Sequence, residues 1–187
     1  SVISGSGSLV LVVGSSGAGK DSVLRFARAR LGGDSRFSFP KRVITRPADT
    51  ASEDHETTDD HGFEMLATGD VFALQWEAHD LKYGVRRTIE DDLAQGRIVS
   101  VNVSRTIVAE AAKHYPAIVV EIFADPDVLA ARIAARGRES EEAAARRANR
   151  RAPPLPVAIP SHKISNSGEL SIAGGAFCEL LENLAAR

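Results

Sequence analysis

Leu9 to Val13 is an uninterrupted apolar run, LVLVV, that passes directly into Gly14-Ser15-Ser16-Gly17-Ala18-Gly19-Lys20. No other stretch restricts the possible folds as much. A strand apolar on both faces belongs inside a parallel sheet covered by helices. The segment after it fits G-x-x-x-x-G-K, in which glycines let successive backbone N–H groups curl around a phosphate and the lysine reaches the β and γ oxygens. A helix predicted from Lys20 to Leu31 adds its positive N-terminal end to the same point. ATP is therefore expected against Gly14, Ser15, Ser16, Gly17, Ala18, Gly19, Lys20, Asp21 and Ser22.

Asp21 stands where such loops usually carry the Ser or Thr that ligates Mg²⁺, and a serine follows only at Ser22. Both residues are candidate Mg²⁺ ligands, since hard cations take oxygen donors. The other account of Asp21 is a first-turn carboxylate that complements the helix dipole.

The rest of the chain continues the α/β pattern. Arg97–Val103 (RIVSVNV) and Ala117–Phe123 (AIVVEIF) are predicted buried strands, each followed by a helix. Asp125-Pro126 supplies a cap and a first-turn proline for a helix with Val128, Leu129 and Ile133 on one face. At 187 residues, one domain is expected. Residues 1–8 are expected to be a flexible Gly/Ser leader, and a core is expected at 9–45, 86–135 and 160–187. A substrate insert is expected at 46–85, made of short strands with little helix, and an arginine-rich lid at 136–151. Residues 49–64 carry seven acidic residues and no Lys or Arg, which suggests a solvated loop.

Composition narrows the partners. Twenty-three basic against 25 acidic residues give a net charge of −2, so no broad positive field exists to hold nucleic acid. No apolar run approaches the length of a membrane span. The single cysteine, Cys178, is expected to pack in the core of a late helix, and one cysteine fits a reducing, cytoplasmic setting. A monomer or a homodimer fits equally.

Residues 136–151 hold six arginines against three glutamates. In phosphoryl transfer the protein chiefly positions groups and neutralises charge on the transferring oxygens, so arginines that close over the γ-phosphate suit the chemistry. Arg136 and Arg147 are the catalytic candidates beside Lys20. A solvated helix with pairs such as Glu142 and Arg146 is the plainer account of the same stretch.

These features together resemble the guanylate kinase family, over about residues 9 to 185. The carriers are the glycine-lysine loop, Thr45-Arg46, Tyr83-Gly84, the stretch Arg136-Gly137-Arg138-Glu139-Ser140-Glu141-Glu142, and Asn166. Closer still is the ribose 1,5-bisphosphate phosphokinase branch of phosphonate catabolism, through GKDS (19–22), ITR (44–46), SE-x-H (52–55), W-x-A-H-x-L-x-YGV (76–85) and VN-x-SR (101–105). The resemblance implies a P-loop kinase with a three-layer α/β/α core and a parallel central sheet. Its implied reaction moves the γ-phosphoryl group of MgATP onto the 1-phosphate of α-D-ribose 1,5-bisphosphate, giving 5-phosphoribosyl 1-diphosphate and ADP. It places Asn166 near the adenine, and Arg42, Arg46, Tyr83, Asn102 and Arg105 around a small phosphorylated sugar.

Departures from guanylate kinase fit that acceptor. Arg42 replaces a serine that contacts guanine, Leu74-Gln75-Trp76 lacks the carboxylate that would accept guanine N–H bonds, and Asn102 replaces an aspartate. Asp49 stands in place of the family's second phosphate-binding arginine, a contact that Arg42 or Arg105 would have to replace. No general base is clearly placed, although His55 and His79 lie in the insert; a phosphate acceptor with a second pKa near 6 needs none. Trp76 is expected to pack the insert. The alternative activities are a guanylate or other nucleoside monophosphate kinase, and a silent guanylate kinase-like binding module.

Overall fold

The computed structural model describes residues 7–15, 17–46, 55–135, 154–156 and 158–187. Ser16 and the arginine-rich stretch 136–151, with Arg136 and Arg147, lie outside the described residues, as do positions 1–6 and 47–54.

β1 (Ser8–Val13) is the central strand of a five-stranded parallel sheet. Its neighbours are β7 (Ile98–Asn102) and β8 (Ala117–Phe123), flanked by β2 (Phe37–Ser38) and β9 (Ser161–Ser165), in the order β2-β7-β1-β8-β9. Leu9, Leu11 and Val13 face one layer and Val10 and Val12 the other, which is why β1 had to be apolar throughout. Chain order reverses on either side of β1, so the loop leaving its C-terminal end opens into the crevice where α/β sheets bind ligands.

The second layer is α1 (Lys20–Leu31), α5 (Pro126–Ala135) and α6 (Leu170–Ala185), with Val23, Ala27, Leu129, Phe177 and Leu181 buried against Val10, Val12 and Ile122. The third is α3 (Thr88–Ala94) and α4 (Val108–His114), packed on Val99, Val101 and Val119. Cys178 is buried in α6, and Val128, Leu129 and Ile133 share the inner side of α5, both as expected.

A second sheet, β4-β3-β6-β5, contains β3 (Arg42–Ile44), β4 (His55–Thr57), β5 (Phe72–Ala78) and β6 (Leu81–Arg86). Its inner residues Ile44, Leu74, Trp76, Tyr83 and Val85 merge with the α3–α4 side of the core. Thr45 helps fix the pairing: its Oγ1 accepts from the Lys82 N–H at 2.8 Å and its own N–H donates to the Lys82 carbonyl at 3.1 Å. β5 and β6 meet in a two-residue turn, His79-Asp80, with φ of 52° and 61°. Hairpin loops of this length use positive φ because it matches strand twist. His79 is therefore a turn residue at an exposed tip.

Three sequence expectations are revised. Arg42–Ile44, assigned above to the core, belongs to the second sheet, and Ser8, assigned to the leader, belongs to β1. Residues 60–68 of the insert form a helix, α2 (Asp60–Thr68), where a solvated loop to residue 64 and short strands after it were expected, and the described part of the acidic stretch is thus largely strand and helix. Asp59 caps α2 by accepting from the Gly62 N–H at 2.7 Å, and Asp60 in its first turn complements the dipole. Phe63 on its inner face packs on Phe72, with ring centroids 4.8 Å apart. Two of the acids that suggested a loop, Asp59 and Asp60, are helix-start residues. Gly84 on β6 permits this packing, since a Cβ there would enter the Phe72 ring.

Candidate active site

The loop from β1 to α1 needs its glycines. Gly17 and Gly19 adopt φ of 86° and 87°, a region that side-chain-bearing residues rarely enter. A Cβ on Gly19 would also run into the Asn166 amide nitrogen. Gly19 caps α1 without a side-chain hydrogen bond, so the first N–H groups of a 12-residue helix are left for an anion.

The loop is braced from behind. Asn166 is 5% exposed, and its Nδ2 donates to the Ala18 carbonyl at 2.8 Å. Arg132 on α5 donates to the Gly17 carbonyl at 3.2 Å and to the Asn166 carbonyl at 2.6 Å. These carbonyls belong to buried residues and would otherwise lack these donors, at a cost of about 1–3 kcal/mol each. Asn166, which the resemblance places near adenine, here spends its amide on the loop. Arg132 was missed by sequence reasoning. Its only signal is that it lies three residues after Leu129, so a cation shares the inner face of α5.

At the start of α1 the fold brings six of the expected residues together. Lys20 opens α1 with a pKa lowered to about 8, mainly because burial penalises its charge; the Asp21 carboxylate opposes this, and the guanidiniums of Arg42 and Arg105 add to it. Asn102 at the end of β7 donates from Nδ2 to Asp21 Oδ1 at 2.6 Å, and Arg42 Nη2 lies 3.6 Å from the same oxygen. Arg42 also stands over the Tyr83 ring, 5.4 Å from its centroid, and Tyr83 stacks on Trp76 at 5.4 Å. An Arg–Tyr–Trp tier thus carries positive charge from the second sheet to the loop, with Trp76 packing the insert as expected.

Arg105 sits in a short 3₁₀ turn after β7, and its Nη2 pairs with Glu121 Oε1 of β8 at 2.6 Å, both side chains largely buried. Arg46 is half-buried beyond the end of β3. Asp21 and Ser22 offer a carboxylate and a hydroxyl in the first turn of α1 beside the phosphate loop, an oxygen donor set that fits Mg²⁺.

No family model matches the chain. The ribose 1,5-bisphosphate phosphokinase PhnN of Acidiphilium cryptum is 51% identical to it over 177 residues, 94% of this chain and 93% of the relative. The chain belongs to the ribose 1,5-bisphosphate phosphokinase PhnN family. A second family member, from Brucella melitensis biotype 2, is 41% identical over 182 residues, covering 97% of this chain and 95% of its own length. Guanylate kinase from Anaplasma phagocytophilum superposes with a TM-score of 0.65 over 100% of this chain and 90% of its own, at 15% identity. The PhnN-family chain therefore has the guanylate kinase-like P-loop kinase fold that its motifs implied.

The brace gives a prediction. Asn166→Ala removes the donor to Ala18 and should cost about 1–3 kcal/mol in urea unfolding. The ATP KM should rise with it, because the loop amides lose their fixed aim. An Asn166→Ala enzyme with wild-type stability and ATP KM would show that the loop holds its shape unaided.

Proposed function

We propose that this chain is an ATP-dependent kinase that phosphorylates the 1-phosphate of α-D-ribose 1,5-bisphosphate, forming 5-phosphoribosyl 1-diphosphate and ADP. One observation carries the reading beside family membership: at the start of α1, next to Lys20, Asp21 receives the Asn102 amide at 2.6 Å and lies 3.6 Å from the Arg42 guanidinium, so the loop, β7 and the second sheet meet at one mouth. Lysine, arginine and amide donors together suit a meeting of polyphosphate and phosphate. Leu74-Gln75-Trp76 on β5, in place of the segment with a base-reading glutamate, has no negative charge to offer a guanine.

In this scheme the loop amides and Lys20 hold the β- and γ-phosphates, and Asp21 and Ser22 hold Mg²⁺. Bound there, Mg²⁺ supplies neutralisation of the β- and γ-oxygen charge. Arg42, Arg46, Tyr83, Asn102 and Arg105 orient the acceptor so that a 1-phosphate oxygen faces the γ-phosphorus. That oxygen forms the new P–O bond as the bridge to the β-phosphate breaks and ADP leaves. No proton need be removed, because the acceptor phosphate is already anionic at neutral pH. Arg136 and Arg147, outside the described residues, are the groups proposed to neutralise charge on the transferring oxygens. The substrates are small molecules, and the reaction belongs in the cytoplasm with no nucleic-acid or membrane partner; among the described residues no helix is long and apolar enough to cross a bilayer.

Coupled measurement of ADP release separates the acceptors. Turnover with ribose 1,5-bisphosphate should exceed turnover with GMP by about 10³-fold or more, the discrimination of a site lacking the base's partners. Faster phosphorylation of GMP would overturn the assignment, and no transfer to any phosphate acceptor would make the chain a binding module.

A further inference from the structure

Asp21, Arg25 and Arg28 lie at i, i+4 and i+7 on α1, one above another on the face that looks toward the end of β7. The helix rise sets Arg25 about 6 Å and Arg28 about 10 Å beyond Asp21, along a line leading away from the phosphate loop. A cleft runs beside that line, walled on its far side by Arg42 and floored by Ser100 and Asn102, with about 40 Å³ of room for the centres of water-sized groups. That is space for about three waters, or for one compact oxyanion.

Ser100 is the telling residue. It is 2% exposed in the middle of an apolar strand, and its Oγ has no hydrogen-bond partner among the described residues. Strand alternation turns its neighbours Val99 and Val101 into the opposite core, while Ser100 and Asn102 face the cleft. A buried hydroxyl without a partner costs about 1–3 kcal/mol, so alanine would be the better residue here unless something polar enters. The described lining of the cleft carries three guanidiniums, those of Arg25, Arg28 and Arg42, and one carboxylate, that of Asp21, which Asn102 and Arg42 engage. What enters should be an anion. Arg28 also lies in the last turn of α1, where a cation complements the helix dipole, but that account leaves Ser100 unexplained.

We propose that Arg25, Arg28 and Ser100 form a subsite for the second, non-reacting phosphate of a bisphosphorylated acceptor, one sugar length from the reacting phosphate at Lys20 and Arg42. The proposal rests on the kinase reading above. It extends that reading by assigning the preference for two phosphates over one to residues of α1 and β7 outside the loop and the insert.

The test compares ribose 1,5-bisphosphate with ribose 1-phosphate, which presents the same attacking phosphate and lacks the distal one. The Arg25→Ala/Arg28→Ala enzyme should show about a tenfold or greater rise in KM for the bisphosphate, with KM for ribose 1-phosphate and for ATP unmoved. Ser100→Ala should raise the bisphosphate KM about threefold without loss of stability, because it removes an unsatisfied hydroxyl from the core. Its effect therefore cannot be ascribed to unfolding. Equal changes in KM for the two sugars, or none, overturn the subsite.

Calorimetric binding of ribose 5-phosphate to the ligand-free enzyme, which involves no turnover, reads the subsite apart from the reaction. Affinity that falls about tenfold in the double variant supports the subsite even if the bisphosphate proves not to be the acceptor. Unchanged affinity, or no binding to the wild type, overturns it even where the bisphosphate is phosphorylated.

Discussion

Lys20→Met should reduce phosphoryl transfer by about 10³-fold and yet make the ligand-free protein more stable at neutral pH. The two effects share one cause. Burial beside Arg42 and Arg105 lowers the Lys20 pKa from 10.5 to about 8, so the folded protein resists the charge that catalysis requires. Between those two values the unfolded chain binds the proton and the folded chain does not. Stability therefore rises with pH through the window from about 8 to 10.5, and below it the folded state bears the whole penalty, at most about 3 kcal/mol.

Methionine keeps most of the apolar stem and removes that penalty, less the attraction lost to Asp21. The melting temperature of Lys20→Met should exceed wild type at pH 7, and the difference should vanish by about pH 10.5. A bound triphosphate reverses the balance by giving the ammonium its counter-charge. ATP binding near pH 8.5 should therefore take up more than half a proton, measurable by calorimetry in buffers of different ionisation enthalpy. A Lys20→Met protein less stable than wild type at pH 7, or ATP binding without proton uptake, would refute this account of the lysine.

Arg105→Ala should be the most destabilising single change at the acceptor side, by about 3 kcal/mol. The reason is Glu121, whose Oε1 lies 2.6 Å from Arg105 Nη2, with the two side chains only 12% and 19% exposed for arginine and glutamate respectively. Removing the guanidinium leaves a carboxylate in a poorly solvated place, facing the phosphates that the loop must bind. Arg105→Ala/Glu121→Gln removes that charge and should recover most of the stability. If Arg105 also holds the acceptor, the double variant keeps a raised acceptor KM after stability returns. Urea unfolding and acceptor kinetics on the two variants separate the roles. Full recovery of KM along with stability would leave Arg105 a positioning residue for the sheet edge, and a stable Arg105→Ala would show the ion pair to be of little weight.

Legibility of the site followed the range of the interactions. The course of β1 and α1 was readable because a continuous apolar strand, the loop glycines and the helix start are local, decided within about 25 residues. The insert was read by its strands, and α2 was missed because its acids were counted as charge before they were considered as cap and first-turn residues. Ser100 left a faint mark, a hydroxyl interrupting RIVSVNV, and Arg132 left almost none.

The amino-acid order alone determined a central apolar strand, a phosphate-binding turn and the family to which both belong, since backbone sterics and hydrophobic period act between near neighbours. Only the tertiary structure decided which groups face one another across long separations: Asn102 on Asp21 at 81 residues, Arg132 on Gly17 at 115, and Asn166 on Ala18 at 148. Those contacts exist because the parallel sheet brings the C-terminal ends of β1, β7, β8 and β9 to one edge. Side-chain charge and hydrogen-bonding capacity can be listed from a sequence, but their energies depend on separation and burial, which packing sets.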